Sequence, residues 1–366
     1  MIPYYDMTEI HKPIKEEFMS EVKELLDTGS FVFGTEKFEE EFADYTGAKY
    51  CVGLNSGTSA LTLALLASEV RPGNKVVTVS HTFTATLSAI KYLGGQHQFV
   101  DIDEKTYCMD PELLSSAVGF DTKVILPVHM YGNACDMPSI INKKSINTNI
   151  IEDCSQAHGT RINGQHVGTF GKAGCFSFYP GKGLGAFGDA GCVITSDEGL
   201  AKEIKEQRSW KEDDVGQNFR MANVNAKFLS LKLKHLDNII EMKKDIAKYY
   251  DKHLNYCHTE KGVDHSYHIY PLLHNNRDGL INRCKESLEL KTHYNKPVHH
   301  NPAFKTTSKT CSICSSDEEI EFNLPITEKI SKSQVSVPIY PGLNKEEVID
   351  ILQKNWSGNG SSSSVL

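Results

Sequence analysis

The sequence predicts an α/β fold: a three-layer domain around a mainly parallel sheet, followed by a smaller α+β carboxy-terminal domain. Three observations predict it. Short β-rich runs recur between residues 75 and 196, with helix-length segments between several of them. Those runs are almost continuously apolar, as strands covered on both faces are. The chain has 366 residues, enough at about 150 per domain for two domains and a large core.

The elements follow in order. Residues 13–27 set Ile14, Phe18, Val22 and Leu25 at helical spacing, and residues 36–45 repeat this with Phe38, Phe42 and Tyr45. Residues 59–70 and 85–95 are apolar, helix-length stretches. Strands are expected at KVVTVS (75–80), QFVDID (98–103), KVILPVHM (123–130), NIIEDCS (149–155), GCFSF (174–178) and GCVITS (191–196). A helical pattern fills 225–256 and bridges to the second domain. There HSYHIYPLL and SQVSVPIYP read as strands and KEEVIDILQK as a final helix. The expected division is 1–240 and 241–355, with a Gly/Ser-rich, disordered tail over 356–366. No repeat of 20–50 residues is visible.

Lys and Arg number 39 and Asp and Glu 47, a formal charge of −8, which argues against a nucleic-acid partner. No apolar run approaches the roughly 18 residues of a membrane span. The amino terminus, MIPYYDMTEIHKPIKEE, lacks the apolar region of a secretory signal, so a cytoplasmic address is expected. Ten cysteines are present. Cys51, Cys154, Cys175 and Cys192 stand singly in apolar runs and read as small buried hydrophobes. Cys311 and Cys314 form one C-x-x-C between polar flanks, without a second pair at zinc-ribbon spacing. A surface loop or a redox or zinc site both suit it.

Parallel sheets set their sites where strands end and helices begin. At 53–67, Asn55-Ser56-Gly57-Thr58-Ser59 opens directly into an apolar helix. Its free N–H groups and dipole suit a phosphate, and its hydroxyls equally suit an ordinary cap. At 150–159 an apolar strand ends in Glu152-Asp153, followed by Ser155, Gln156 and His158. Asp153 there suits a cationic ring nitrogen, or merely a turn. At 175–196 a Pro/Gly-rich loop carries Lys182 between Gly181 and Gly183. A desolvated lysine loses its proton readily and becomes an amine nucleophile. At 80–86 Phe83 stands between threonines just after a strand. A phosphate cradle, an aromatic ring, a strand-end Asp and a loop Lys are together the parts that hold pyridoxal phosphate.

Taken in order, NSGTSAL, HTFTAT, LPVHMYG, EDCSQAHG, FSFYPGKGLGAFGDAG, GQNFRM and KPVHHNPAF resemble the DegT/DnrJ/EryC1/StrS sugar aminotransferases, over about residues 1–354. The resemblance implies the aspartate-aminotransferase-like fold type I and pyridoxal 5′-phosphate as cofactor. It implies that Lys182 forms the Schiff base and shuttles the proton, and that Asp153 pairs with the pyridine nitrogen. Gln156 would meet the ring hydroxyl and Phe83 stack on the ring. Gly57, Thr58, Ser59 and Ser177 would hold the phosphate, with Asn218 reaching it from a neighbouring subunit of a homodimer. Tyr179 and His299 resemble positions facing the sugar. Gly183 stands where the family usually has Asn, and Cys154-Ser155 where it has Ala-Ala. Relatives with histidine for the lysine are dehydratases, so Lys182 points to amine transfer from glutamate to a nucleotide-linked keto sugar. The segment GSFVFGTEKFEEEFADYTG with HTFTAT looks more like C3 than C4 aminating enzymes. A non-catalytic pyridoxal- or sugar-binding regulator is the other reading.

Overall fold

The computed structural model describes residues 1–210, 216–254, 261–304, 307–308, 318–319 and 322–356. Cys311, Cys314 and the tail from 357 onward lie outside the described residues. Seven strands form the central sheet: β1 Tyr50–Leu54, β2 Lys75–Val79, β3 Gln96–Val100, β4 Thr122–Ile125, β5 Asn149–Asp153, β6 Ala173–Ser177 and β7 Gly191–Thr195. Their order across the sheet is β1-β7-β6-β5-β4-β2-β3. β2 to β6 are parallel, and β7 is antiparallel to both β6 and β1. The ends of β1 to β6 and the start of β7 therefore share one edge.

Alternation along each strand produces the three layers. Cys51, Val77, Ile125, Ile150, Phe176 and Ile194 pack with Phe38 and Phe42 of helix Glu36–Thr46 and Leu229 of helix Asn223–Leu233. Val52, Val76, Val124, Ile151, Cys175 and Val193 face the other way. They meet helices Gly57–Ala67, Thr84–Tyr92 and Glu198–Gln207 through Leu61, Leu65, Ile90 and Ile204. Helix Gly57–Ala67 is apolar all round because sheet and helices enclose it.

The expected strands are present, shortened where the chain chemistry demands it. The run at 123–130 stops at Ile125, two residues before Pro127, which has no N–H for a ladder. β1 was absent from the sequence reading, because Gly53 interrupts a run of only five residues. The single helical stretch expected over 225–256 is two helices, Asn223–Leu233 and Leu236–Tyr250. The turn at Lys234–His235 lets the second helix reach a separate core. That core joins Ile246, Tyr250, Tyr270, Leu272, Val335, Val337, Ile349 and Leu352, around the antiparallel pair β8 Tyr270–Leu273 and β9 Gln334–Val337. Ile2 packs against it from the amino terminus. Among the described residues, no helix is long and apolar enough to cross a membrane. The seven described cysteines are free and buried, Cys51, Cys154, Cys175 and Cys192 among them.

Candidate active site

A cavity of about 830 Å³ opens at the shared strand edge. The junctions after β1, β2, β5 and β6 build it. After β1, Ser56 caps helix Gly57–Ala67 by accepting from the Ser59 N–H at 3.1 Å. The first-turn N–H groups of Gly57 and Thr58 have no acceptor within the helix. A Cβ on Gly57 would stand 2.6 Å from Ser177 Cβ, and one on Gly191 would stand 2.4 Å from the Ser56 carbonyl carbon. Only glycine allows β1, β6 and β7 to close this tightly around the turn. The result is a small cradle of N–H groups and hydroxyls that fits a phosphate.

After β5, Asp153 is buried, with Oδ2 accepting from Thr86 Oγ1 at 3.0 Å and Oδ1 from the Ser155 N–H at 3.1 Å. Its neighbour Glu152 is fully buried and points to the opposite side. Its carboxylate accepts from His129 Nε2 at 3.0 Å and from the N–H groups of Gly168, Phe170 and Gly171 at 2.7, 2.9 and 2.7 Å. Glu152 thus anchors the strand end that carries Asp153. Gln156 is oriented from both sides. Its Oε1 accepts from the Tyr131 N–H at 2.8 Å, and its Nε2 donates to the Tyr294 phenol oxygen at 3.1 Å.

After β6, the loop Tyr179–Gly185 presents Lys182 to the cavity. The Lys182 N–H bonds Tyr179 O at 2.8 Å, and Lys232, buried beneath, donates to Gly185 O at 2.8 Å. Burial pushes the Lys182 amine down to about 8, against the pull of Asp153. Burial likewise pushes His293 down to about 4 and His268 well below the ordinary histidine range. Burial raises the phenols of Tyr4, Tyr5 and Tyr294, so these groups stay protonated. Phe83, 57% exposed, lies at the cavity with its ring centroid 6.0 Å from that of Tyr294.

Gly57, Thr58, Phe83, Asp153, Gln156, Ser177, Tyr179 and Lys182 all line the cavity. Three expected residues do not. Ser59 turns its hydroxyl to Asn55 Oδ1 at 2.6 Å, and so shapes the turn that Ser56 lines. His299 sits behind Ser80, its Nδ1 2.6 Å from Ser80 Oγ. Asn218 is exposed, and its carbonyl accepts from Asn55 Nδ2 at 3.2 Å beside the cradle. The sequence reading missed Tyr4, Tyr5, Thr86, His268, His293 and Tyr294, which also line the cavity. Tyr5 donates to Gly181 O and straps the amino terminus over the lysine loop. Thr86 lies inside HTFTAT, and His293-Tyr294 stands just before KPVHHNPAF, so both were adjacent to recognised signals.

Lys182, with its lowered proton affinity, and the buried Asp153 face one cavity beside an anion cradle, the set of groups that an amine-transferring enzyme uses with pyridoxal phosphate. The family model of the DegT/DnrJ/EryC1/StrS aminotransferase family matches residues 12–354, and the chain belongs to that family. It is 33% identical to UDP-N-acetyl-3-dehydro-α-D-glucosamine 3-aminotransferase of Acidithiobacillus ferrooxidans, covering 96% of both chains. It is 34% identical to dTDP-3-amino-3,6-dideoxy-α-D-galactopyranose transaminase of Aneurinibacillus thermoaerophilus, covering 96% of this chain and 98% of that one. Among solved structures, S. venezuelae DesV in complex with a ketimine intermediate superposes with a TM-score of 0.89 at 31% identity. That match covers 96% of this chain and 98% of DesV.

Proposed function

We propose that the protein is a pyridoxal 5′-phosphate-dependent aminotransferase that moves the amino group of glutamate to C3 of a nucleotide-linked keto-deoxysugar. The single observation that supports it most is the placement of Lys182 and Asp153 in one cavity with the Ser56–Thr58 and Ser177 cradle. The residues fit the cofactor: a glycine-tight anion cradle for the phosphate, a carboxylate for the ring nitrogen and an amine for the aldehyde. When bound, the cofactor supplies an electron-accepting ring that stabilises negative charge at the amino-acid carbon.

The chain's own residues do the rest. Asp153 Oδ holds the proton on the ring nitrogen, and Thr86 and the Ser155 N–H keep the carboxylate aimed. Lys182 Nζ, with its lowered proton affinity, takes a proton from one carbon and returns it to another. Phe83 would stack on the ring, and Gln156 would meet the ring hydroxyl. Tyr179 and Tyr294 line the same cavity, and Tyr179 would face the sugar. The names of the two curated relatives, both 3-amino sugar enzymes, support C3 over C4. The presence of Lys182 and Asp153 speaks against a non-catalytic regulator.

The enzyme acts as a cytoplasmic homodimer, with Asn218 reaching the partner's phosphate, and residues 1–240 and 241–355 form its two domains. Asn218 is exposed in the single chain, as a residue that meets a partner would be. Amine transfer from glutamate to a panel of 3-keto and 4-keto nucleotide sugars, with the aminated carbon read by NMR, tests the reaction. Transfer to the 4-keto panel alone overturns the C3 assignment. Mixed dimers of Lys182→Ala and Asn218→Asp chains test the shared site: activity regained on mixing supports it, and none despite verified mixed dimers overturns it.

A further inference from the structure

Outside the cavity, two clusters of metal-ligating side chains occur among the described residues. His129, Glu152 and Cys154 form one. Both Glu152 oxygens already accept from four donors, so that carboxylate has no capacity for a cation. The other cluster is His299, His300 and Glu328, and its groups are arranged differently.

His299 and His300 lie on the single turn Val298–His300 that follows Pro297. Glu328 comes from the first turn of helix Pro325–Ser333. Glu328 Oε1 is 3.5 Å from His299 Nε2 and 3.8 Å from His300 Nε2, and all three ligand atoms lie within 4.8 Å of one another. Around a tetrahedral zinc ion with bonds of about 2.0–2.1 Å, ligand atoms sit roughly 3.3 Å apart, so two of the three separations need close by only about half an ångström or less.

Among the described residues His299 Nε2 is buried and makes no well-formed hydrogen bond, its contact with Glu328 Oε1 at 3.5 Å being too poorly placed for one, and its side chain is only 6% exposed. A buried nitrogen so poorly satisfied is costly unless it has a use. The ring is also oriented for one. Nδ1 lies 2.6 Å from Ser80 Oγ, and the His299 N–H donates to the same oxygen at 3.1 Å. With Nδ1–H donating to Ser80, Nε2 carries the lone pair, the arrangement by which an outer partner fixes a ligating histidine. Asp101 holds the Glu328 helix in place: its oxygens accept from the Ile326 and Thr327 N–H groups at 2.8 and 2.9 Å. Asp101 adds negative charge nearby while remaining fully engaged. His300 and Glu328 are 45% and 35% exposed, which leaves an entry path from solvent.

We infer that His299, His300 and Glu328 form a binding site for one divalent transition-metal ion of the zinc class, with water in the fourth position. Two imidazoles and one carboxylate suit that class, and calcium and magnesium, which prefer all-oxygen shells, are poor occupants. The ion joins the segment after β2, held through Ser80, to helix Pro325–Ser333. It is a structural brace on the loop that carries Phe83, and takes no part in amine transfer.

The test uses the full chain carrying Cys311→Ser and Cys314→Ser, so that those thiols contribute no metal site. After treatment with a chelator and dialysis, the protein is titrated with Co²⁺ and with Zn²⁺. One equivalent of Co²⁺ is expected, with visible d–d absorption and no thiolate charge-transfer band, and Zn²⁺ displaces it. Zn²⁺ is also expected to raise the melting temperature, as any ligand of the folded state does. His300→Ala and Glu328→Gln each should weaken binding by at least about a hundredfold, more than the ~10-fold lower limit for an outer residue such as Ser80 in Ser80→Ala. Both variants alter partly exposed side chains, and their melting temperature without metal verifies the fold. Less than one equivalent bound, or affinity unchanged in His300→Ala and Glu328→Gln, overturns the site.

Discussion

Gln156 and Tyr294, 138 positions apart in the chain, are joined by a hydrogen bond of 3.1 Å from the amide to the phenol oxygen. Because the Gln156 carbonyl is already engaged by the Tyr131 N–H, the amide has one orientation. The bond ties the turn after β5 to the stretch between the two strands of the second core. A double-mutant cycle with Gln156→Leu and Tyr294→Phe is expected to give a coupling of about 1 kcal/mol in denaturant unfolding. Strict additivity of the two losses would refute the link.

Lys182 is expected to set the pH dependence of cofactor loading. Its amine is pushed down to about 8, so the neutral, nucleophilic form gains population as pH rises through that value. At pH 7 about a tenth is neutral, against well under a thousandth for an ordinary lysine near 10.4. The rate of visible-band formation on adding pyridoxal phosphate to apoprotein should therefore rise up to about pH 8 and level off above it. A profile still climbing steeply at pH 10 would contradict this. Lys182→Ala should abolish turnover and the band while leaving the melting temperature close to that of the parent apoprotein.

Asp153→Asn retains the hydrogen bond from the Thr86 hydroxyl and loses the charge. The expected result is a protein that keeps cofactor but loses on the order of 10³-fold in kcat, about 4 kcal/mol of barrier. Stopped-flow measurement of the half-reaction with glutamate isolates the step. A full rate with an unchanged spectrum would remove Asp153 from its role.

Gly57→Ala places a methyl 2.6 Å from Ser177 Cβ, and backbone rather than a flexible tip must yield. Phosphate capture should suffer more than folding. Cofactor retention on dialysis is expected to fall at least about tenfold, worth ~1.4 kcal/mol, and inorganic phosphate should protect the variant's apoprotein less against heat.

Glu152→Gln replaces a carboxylate serving four donors with an amide that must turn an NH₂ toward one of them. His129 Nδ1 already accepts from the Cys135 N–H at 3.1 Å, so its Nε2–H cannot be withdrawn. A loss of about 2–4 kcal/mol is expected in equilibrium unfolding. A variant as stable as the parent would show that the four bonds contribute nothing net.

The fold was legible where hydrophobic runs were unbroken. Val76, Val77 and Val79, or Ile150 and Ile151, announce buried strands by themselves, whereas β1 hides behind Gly53. The two-helix break at Lys234–His235 was not legible, because both halves keep helical periodicity and only their destinations differ. In the site, Lys182, Asp153 and the 56–58 turn stood out because each sits at a strand-to-helix or loop junction with few neighbours of its kind. Tyr4, Tyr5, His293 and Tyr294 did not. They arrive from the amino terminus and from beyond residue 290, and nothing local in those stretches says which cavity they line. His299, read toward the sugar, lies outside the cavity of the single chain, with its ring against Ser80.

The antiparallel return of β7 has a consequence for synthesis. The cradle is closed by Ser56, Gly57, Ser177 and Gly191, so its first part leaves the ribosome some 130 residues before its last. A nascent chain ending before β7 already carries the lysine, the aspartate and the cradle residues, but β1 has no strand beside it to hold its turn against Ser177. Cofactor capture is thereby deferred until the sheet has been threaded through its reversed strand, and a prematurely terminated chain is denied the ligand that would have stabilised it.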